Sequence, residues 1–207
     1  VDLRPLLDFV FPAQCASCNA LGSGLCSACA PHGPAIEARF PSLRVSGLAV
    51  YEGRLRDAIL ALKDGRRDVA EALGLLAAPL VACDSILLPV PTTVKRRRLR
   101  GMDGVALVAR IAAKVAGAHV VLALSQRSGD AQRGRSRALR LAARGRFGCD
   151  AAEVAGRCVT LFDDVCTTGS TLRDCAGAVR EAGGLVNDAI VVAVANSPGP
   201  WSTPMAS

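Results

Sequence analysis

Two groups of residues in this chain have types and spacings that can do chemistry. The first is Cys15-x-x-Cys18 and Cys26-x-x-Cys29, two thiol knuckles separated by seven residues. Each knuckle brings two sulfurs to one ion from a single tight turn. Two knuckles together complete a tetrahedron around Zn²⁺, with Zn–S distances of about 2.3 Å. Four soft ligands leave no open position for a substrate, so the expected role is structural. A segment of about 30 residues gains too little from its own core to fold, and metal binding supplies the difference. Disulfides and a redox pair are the competing uses. A reducing compartment disfavours the first, and the second needs only one knuckle. His32, three residues beyond Cys29, is expected to be an exposed turn residue and not a ligand.

The second group lies in Val159–Thr171, VTLFDDVCTTGST. An apolar run ends in adjacent carboxylates, Asp163 and Asp164, and is followed by Thr167, Thr168, Gly169, Ser170 and Thr171. A helix starting after such a loop presents unsatisfied N–H groups and the positive end of its dipole, which suits a phosphate. Gly169 permits close backbone approach, and the four hydroxyls are further donors. Asp163 and Asp164 are placed to accept hydrogen bonds from two vicinal hydroxyls, directly or through Mg²⁺. The segment therefore reads as a loop for a ribose 5-phosphate. Helix capping alone explains the hydroxyls but not two carboxylates at the end of an apolar strand. The lysine and glycine spacing of a P-loop is absent.

Elements that could position these groups follow from the patterning. Strands are expected at Val45–Tyr51, Ser85–Val90, His119–Leu124, Arg157–Phe162 and Asp188–Ala195. Helices are expected at Leu55–Lys63, Asp68–Cys83, Asp103–Gly117 and Ser170–Ala182, with Ser136–Ala143 at best a short one. Short apolar runs alternating with helices predict an α/β fold with a central, mostly parallel sheet covered on both faces. Pro31, Pro34 and Pro41 mark Ala30–Ser42 as a linker. The expected organisation is a zinc-binding module and linker over 1–42, a main domain over 43–196, and a disordered tail over 197–207.

Composition bounds the rest. Hydrophobic residues make up 51% but aromatics only 3%, so Ala, Val, Leu and Ile must build the core. The free-standing cysteines Cys83, Cys149, Cys158 and Cys175 are expected to be small buried residues. Cys166, inside the loop, is assigned no catalytic role, and His119 is expected to be structural. No apolar stretch reaches the ~18 residues of a membrane span. The N-terminal residues, with Asp2, Arg4 and Asp8, do not read as a signal peptide, which predicts a cytoplasmic protein. The net charge of +7 is uneven: Pro91–Arg146 carries +12 and the remainder −5. Such a basic segment attracts phosphates, whether on a small ligand or on a nucleic acid.

Apolar residues followed by Asp-Asp-Val-x-Thr-Thr-Gly-x-Thr resemble the phosphoribosyl pyrophosphate signature of type I phosphoribosyltransferases. The whole chain resembles the ComF family, which joins an N-terminal four-cysteine zinc finger to such a domain. Tyr51-Glu-Gly-Arg-Leu-Arg with Ile59–Lys63, Leu88-Pro-Val-Pro91, Arg98-Leu-Arg-Gly101, and Arg127 and Gln132 with Arg140 and Phe147 are similar to further family segments. Where the family usually reads Arg-Gly-Phe-Asn-Gln, this chain reads Arg100-Gly101-Met102-Asp103-Gly104.

The resemblance implies a type I phosphoribosyltransferase fold preceded by a small zinc-ribbon-like module. It implies phosphoribosyl pyrophosphate as ligand, with Mg²⁺, and structural Zn²⁺ on Cys15, Cys18, Cys26 and Cys29. Asp163 and Asp164 are then the ribose and Mg²⁺ residues, and Thr167, Thr168, Gly169, Ser170 and Thr171 hold the 5-phosphate. Thr92, Thr93, Lys63, Arg98, Arg100 and Arg127 fall on the pyrophosphate side. The implied role is competence: DNA uptake in natural transformation, with single-stranded DNA and the uptake machinery as partners. Salvage of a nucleobase by phosphoribosyl transfer and ligand sensing without turnover are the alternatives. Purine salvage relatives often place a proton-accepting Asp two residues before the loop glycine, and here that position is Thr167.

Overall fold

The computed structural model describes residues 12–40, 42–92, 101–127 and 145–195. The expected segments Ser136–Ala143 and 197–207, together with Thr93, Arg98 and Arg100, lie outside the described residues. Six strands form the main sheet: β1 (Ile36–Phe40), β2 (Leu43–Val50), β3 (Ile86–Pro89), β4 (His119–Val120), β7 (Cys158–Cys166) and β8 (Leu185–Val194). Their order is β1-β2-β8-β7-β3-β4. Among the described residues of this sheet the β1–β2 pair is antiparallel and every other neighbouring pair is parallel. A second, two-stranded antiparallel sheet pairs β5 (Leu124–Gln126) with β6 (Phe147–Cys149).

Helices cover both faces of the main sheet. Helices α1 (Gly53–Lys63), α2 (Arg67–Ala77) and α3 (Gly104–Ala116) pack with Leu87, Phe162, Ile190 and Val192. On the opposite face α5 (Ser170–Glu181) buries Leu172, Cys175, Ala176 and Val179 with Val45, Leu161, Ala189 and Val191. Those α5 positions recur at three- and four-residue intervals, the stripe of an amphipathic helix. From Ala189 to Val192 the assignments along β8 alternate between the two clusters, as period-two geometry requires. Helix α3 starts where the Asp103 carboxylate accepts the Ala106 N–H at 3.2 Å and stops at Gly117, whose φ is 73°. A short helix α4 (Ala151–Val154) precedes β7.

Several expected boundaries are corrected. The linker Ala30–Ser42 contains β1, so the proposed division at 42/43 cuts a β-hairpin between Phe40 and Leu43. The expected helix Asp68–Cys83 ends at Ala77, and a 3₁₀ turn over Ala78–Leu80 follows; Pro79 has no N–H with which to continue the helix. The expected strand His119–Leu124 keeps only His119–Val120 in the main sheet. Its neighbour β3 ends at Pro89, with Pro91 close behind, and a ladder cannot run along residues without N–H groups. His119 is exposed on this edge strand and is not a core histidine. The expected strand Arg157–Phe162 continues to Cys166, because β8 pairs with it as far as Val194.

Candidate functional site

The four-cysteine cluster is built from turns. The Cys15 N–H donates to the Ala20 carbonyl at 2.8 Å, and Asn19 takes a left-handed φ of 59° to close the first knuckle. The Cys26 N–H points at the Cys15 sulfur at 3.5 Å, and the Cys29 N–H donates to the Cys26 carbonyl at 2.9 Å. The four sulfurs lie within 4.8 Å of one another, and Cys18 and Cys26 are 3.6 Å apart. A tetrahedron with metal–sulfur distances of about 2.3 Å has edges of roughly 3.8 Å, so the donor set fits Zn²⁺. Burial alone raises the Cys15 thiol, but N–H groups of Cys18, Cys26 and Ser17 outweigh it and bring the thiol down to about 6. Burial and the facing sulfurs push Cys29 up to about 12. His32 is exposed, as expected of a turn residue.

This cluster is not a detached module. Cys15, Leu25 and Cys29 belong to the same buried cluster as α1, α2 and α3. Gly24 lies against α2 so closely that a Cβ there would sit 2.4 Å from the backbone of Asp68 and Val69.

The second site forms at the carboxyl ends of β3 and β7. These neighbours send their crossovers in opposite directions: β3 leads through α3 to β4, and β7 leads through α5 to β8. Such a reversal opens a crevice at the carboxyl ends of the strands, where open α/β sheets bind ligands. The Val90 N–H donates to the Phe162 carbonyl at 2.8 Å, which sets the turn after β3 beside Asp163. Asp163 is the only buried charged side chain among the described residues, 8% exposed. Its carboxylate accepts the Asp164 N–H at 2.8 Å, and that of Asp164 accepts the Val165 N–H at 2.8 Å. Burial, and then the neighbouring Asp164 charge, hold the Asp163 carboxyl well above the usual carboxylate range.

Thr167, Thr168 and Ser170 are exposed, Thr171 is half-buried and Gly169 is buried. Gly169 caps α5 with a φ of 68°. A Cβ on it would sit 2.4 Å from the Phe40 ring, so left-handed backbone and close packing both require glycine. The Thr168 hydroxyl accepts the Ser170 N–H at 3.4 Å, and the Arg173 N–H donates to the Gly169 carbonyl at 2.9 Å to begin the helix. The structure thus brings the carboxylates and the hydroxyl loop to one helix N-terminus.

The remaining expected residues divide. Lys63, at the end of α1, reaches the Asp164 carboxylate at 3.2 Å, with its ammonium 5.9 Å from the centre of the Tyr51 ring. Thr92 follows β3, and its hydroxyl donates to Asp103 at 3.4 Å. Arg127 directly follows β5, whose Gln126 donates its side-chain amide to the Pro91 carbonyl at 3.4 Å. Its guanidinium is 3.9 Å from Glu181, the last residue of α5, about 16 Å along the helix from the loop end. Its Nη1 is buried and has no hydrogen-bond partner among the described residues.

Cys83 and Cys158 are exposed and Cys149 is half-buried, against expectation; Cys175 is buried. Cys83 follows α2 and its 3₁₀ turn, and Cys158 starts β7, so both occupy element ends at the surface. Cys166 is buried, and burial followed by the Asp163 charge raises its thiol to about 11, which keeps it protonated and unreactive. Phe40 is the contributor that sequence reading missed. The alternation Ile36-Glu37-Ala38-Arg39-Phe40 was its available signal, obscured by the surrounding prolines.

Taken together, the described residues form a mixed α/β protein with a mostly parallel sheet, a four-cysteine cluster before it, and a carboxylate–hydroxyl loop at a topological switch point. No protein-family model matches the chain, and no curated protein matches it. Solved structures do resemble it. One described as the allosteric regulatory enzyme of purine biosynthesis shares 24% identity at a TM-score of 0.44, covering 59% of this chain. Glutamine phosphoribosylpyrophosphate amidotransferase from B. subtilis, complexed with ADP and GMP, shares 24% identity at 0.43, again over 59%. The chain covers 26% of the length of each of these two. The protein TT1426 from Thermus thermophilus shares 18% identity at 0.34, covering 66% of this chain and 86% of that one.

Proposed function

We propose that the protein binds phosphoribosyl pyrophosphate with Mg²⁺ through a type I phosphoribosyltransferase-fold domain of the ComF kind, and acts in DNA uptake during natural transformation. The observation that carries the ligand is the buried Asp163 beside Asp164 at the switch point, next to the N-terminus of α5. An acidic pair beside a helix N-terminus matches a ligand that offers hydroxyls at one end and a phosphate at the other. Asp163 and Asp164 would accept from the ribose hydroxyls or hold Mg²⁺, which would supply charge neutralisation for the pyrophosphate. The N–H groups and hydroxyls of Thr167, Thr168, Gly169, Ser170 and Thr171 take the 5-phosphate. Thr92, Thr93, Lys63, Arg98, Arg100 and Arg127 serve the pyrophosphate side. Zn²⁺ on Cys15, Cys18, Cys26 and Cys29 completes the fold.

Calorimetry with phosphoribosyl pyrophosphate and Mg²⁺ tests the ligand. Binding by the wild type and its loss, by at least about tenfold, in Asp163→Asn/Asp164→Asn are expected; equal affinity in the double variant contradicts the reading. The DNA role rests on resemblance and on the +12 segment Pro91–Arg146. It predicts single-strand binding that weakens with salt and with charge removal at Arg96–Arg98.

A second reading, ligand sensing without turnover, draws on Thr167, an exposed threonine where a proton acceptor for a nucleobase is otherwise expected. Pyrophosphate release with any of a panel of bases rejects it.

A further inference from the structure

Helix α1 touches both sites, one at each end. In its first turn, the Arg54 guanidinium donates to the carbonyl of Ala28, which lies between Cys26 and Cys29. One turn on, the Asp57 carboxylate accepts the Ser17 hydroxyl at 3.0 Å, and Ser17 lies between Cys15 and Cys18. Each knuckle is therefore tied to α1 by the residue in its third position. At the other end, the last residue of the helix is Lys63, whose ammonium is 3.2 Å from Asp164. Between the ends, Leu55, Ala58, Ile59 and Leu62 are buried in one cluster with Cys15, Cys29 and Phe162, the residue before Asp163. An 11-residue helix spans about 16 Å and moves as a rigid element when one face is packed.

The acidic pair gives this connection a purpose. Asp163 is buried beside a second carboxylate, an arrangement that repels itself unless a cation is near. Lys63 supplies that cation from a long, flexible side chain carried on the last turn of α1, with the Tyr51 ring 5.9 Å from its ammonium.

We propose that Lys63 is a positioning residue for Asp164 and that the four-cysteine cluster sets its position through α1. Metal occupancy at the cysteines and the state of the carboxylate site are then coupled, and coupling free energies are reciprocal. One arm of this inference rests on the phosphoribosyl pyrophosphate reading; the other needs no ligand.

The test follows Zn²⁺ release from the full-length, zinc-loaded chain to a chromogenic chelator. Without ligand, Lys63→Met releases Zn²⁺ roughly three- to tenfold faster than wild type, and Lys63→Arg restores slow release. Asp164→Asn breaks the same pair from the other side and acts like Lys63→Met. Arg44→Ala, which removes the exposed Arg44–Asp188 pair at the opposite end of the sheet, leaves the rate unchanged. A release rate in Lys63→Met and Asp164→Asn within error of wild type overturns the coupling, as does failure of the chain to hold one Zn²⁺. So does a proportional acceleration in Arg44→Ala, which marks general destabilisation.

In the second arm, phosphoribosyl pyrophosphate with Mg²⁺ slows release from wild type but not from Lys63→Met. If calorimetry shows no binding while the ligand-free differences hold, the ligand reading fails and the coupling stands. Binding without any release difference has the opposite meaning.

Discussion

At the residue scale, Asp163 is held against its preference. Its folded carboxyl titrates well above the usual range because burial, and then Asp164, disfavour the charge. In the unfolded chain it titrates near 3.9. Between those two values the folded form holds a proton that the unfolded form has lost. Stability therefore falls as pH rises from about 4 through the raised folded value, and the cost is fully present above it. Asp163→Asn keeps an acceptor for the Asp164 N–H and removes the charge. It should raise stability at about pH 7.5 by on the order of 1 kcal/mol, with the gain vanishing below about pH 4, while abolishing ligand binding. Thermal melts across pH check the sign, and a gain that persists undiminished at acid pH refutes this account. Gly169→Ala is the opposite kind of change. The left-handed backbone costs about 1–2 kcal/mol, and the methyl group meets the Phe40 ring at a further 1–3 kcal/mol or so. Urea midpoints should show the loss, and a neutral result would mean that β1 does not pack on the loop.

At the scale of elements, the arrangement depends on contacts that chain order alone does not suggest. Strand β1 arrives from the segment between the cysteines and the main domain and sets Phe40 against the loop glycine. The segment between the knuckles lies on α2 at Gly24, and both knuckles hold α1. Gly24 permits the approach to α2. Gly24→Ala places a methyl group 2.4 Å from the α2 backbone, where no side-chain rotation relieves it. The cluster must then lift from the helix, losing on the order of 1–3 kcal/mol and exposing the Cys15–Leu25 region. Faster proteolysis between Cys29 and β1, with unchanged zinc stoichiometry, is the expected signature.

At the scale of the whole molecule, the cysteine cluster and the sheet share one core. Cys15, Leu25 and Cys29 are buried with α1, α2 and α3, so metal loss removes a wall of that core and does more than melt an appendage. Chelation should lower the melting temperature of the entire chain in a single transition, by roughly 4–8 °C for a loss of about 2 kcal/mol. Two separated calorimetric transitions would show independent modules instead. No helix among the described residues is long and apolar enough to cross a membrane.

Much of the chemistry was legible in the residues themselves. The knuckle spacing predicted four sulfurs at one point, and the order of apolar run, carboxylates, hydroxyls and helix predicted a loop at a helix N-terminus. Both are local, since no participant lies more than eight residues from the next. What only the tertiary structure decided is non-local. Prolines hid the alternation of β1, because turn signals and strand signals compete at short range. Arg127 meets Glu181 through the pairing of β5 with β6, a contact between segments 54 residues apart. Lys63 gained its partner only when α1 packed beside β7, 101 residues away in sequence from Asp164. A sequence specifies which groups can react at short separation. The charge that each one faces is set by packing between segments that meet only after the chain has folded.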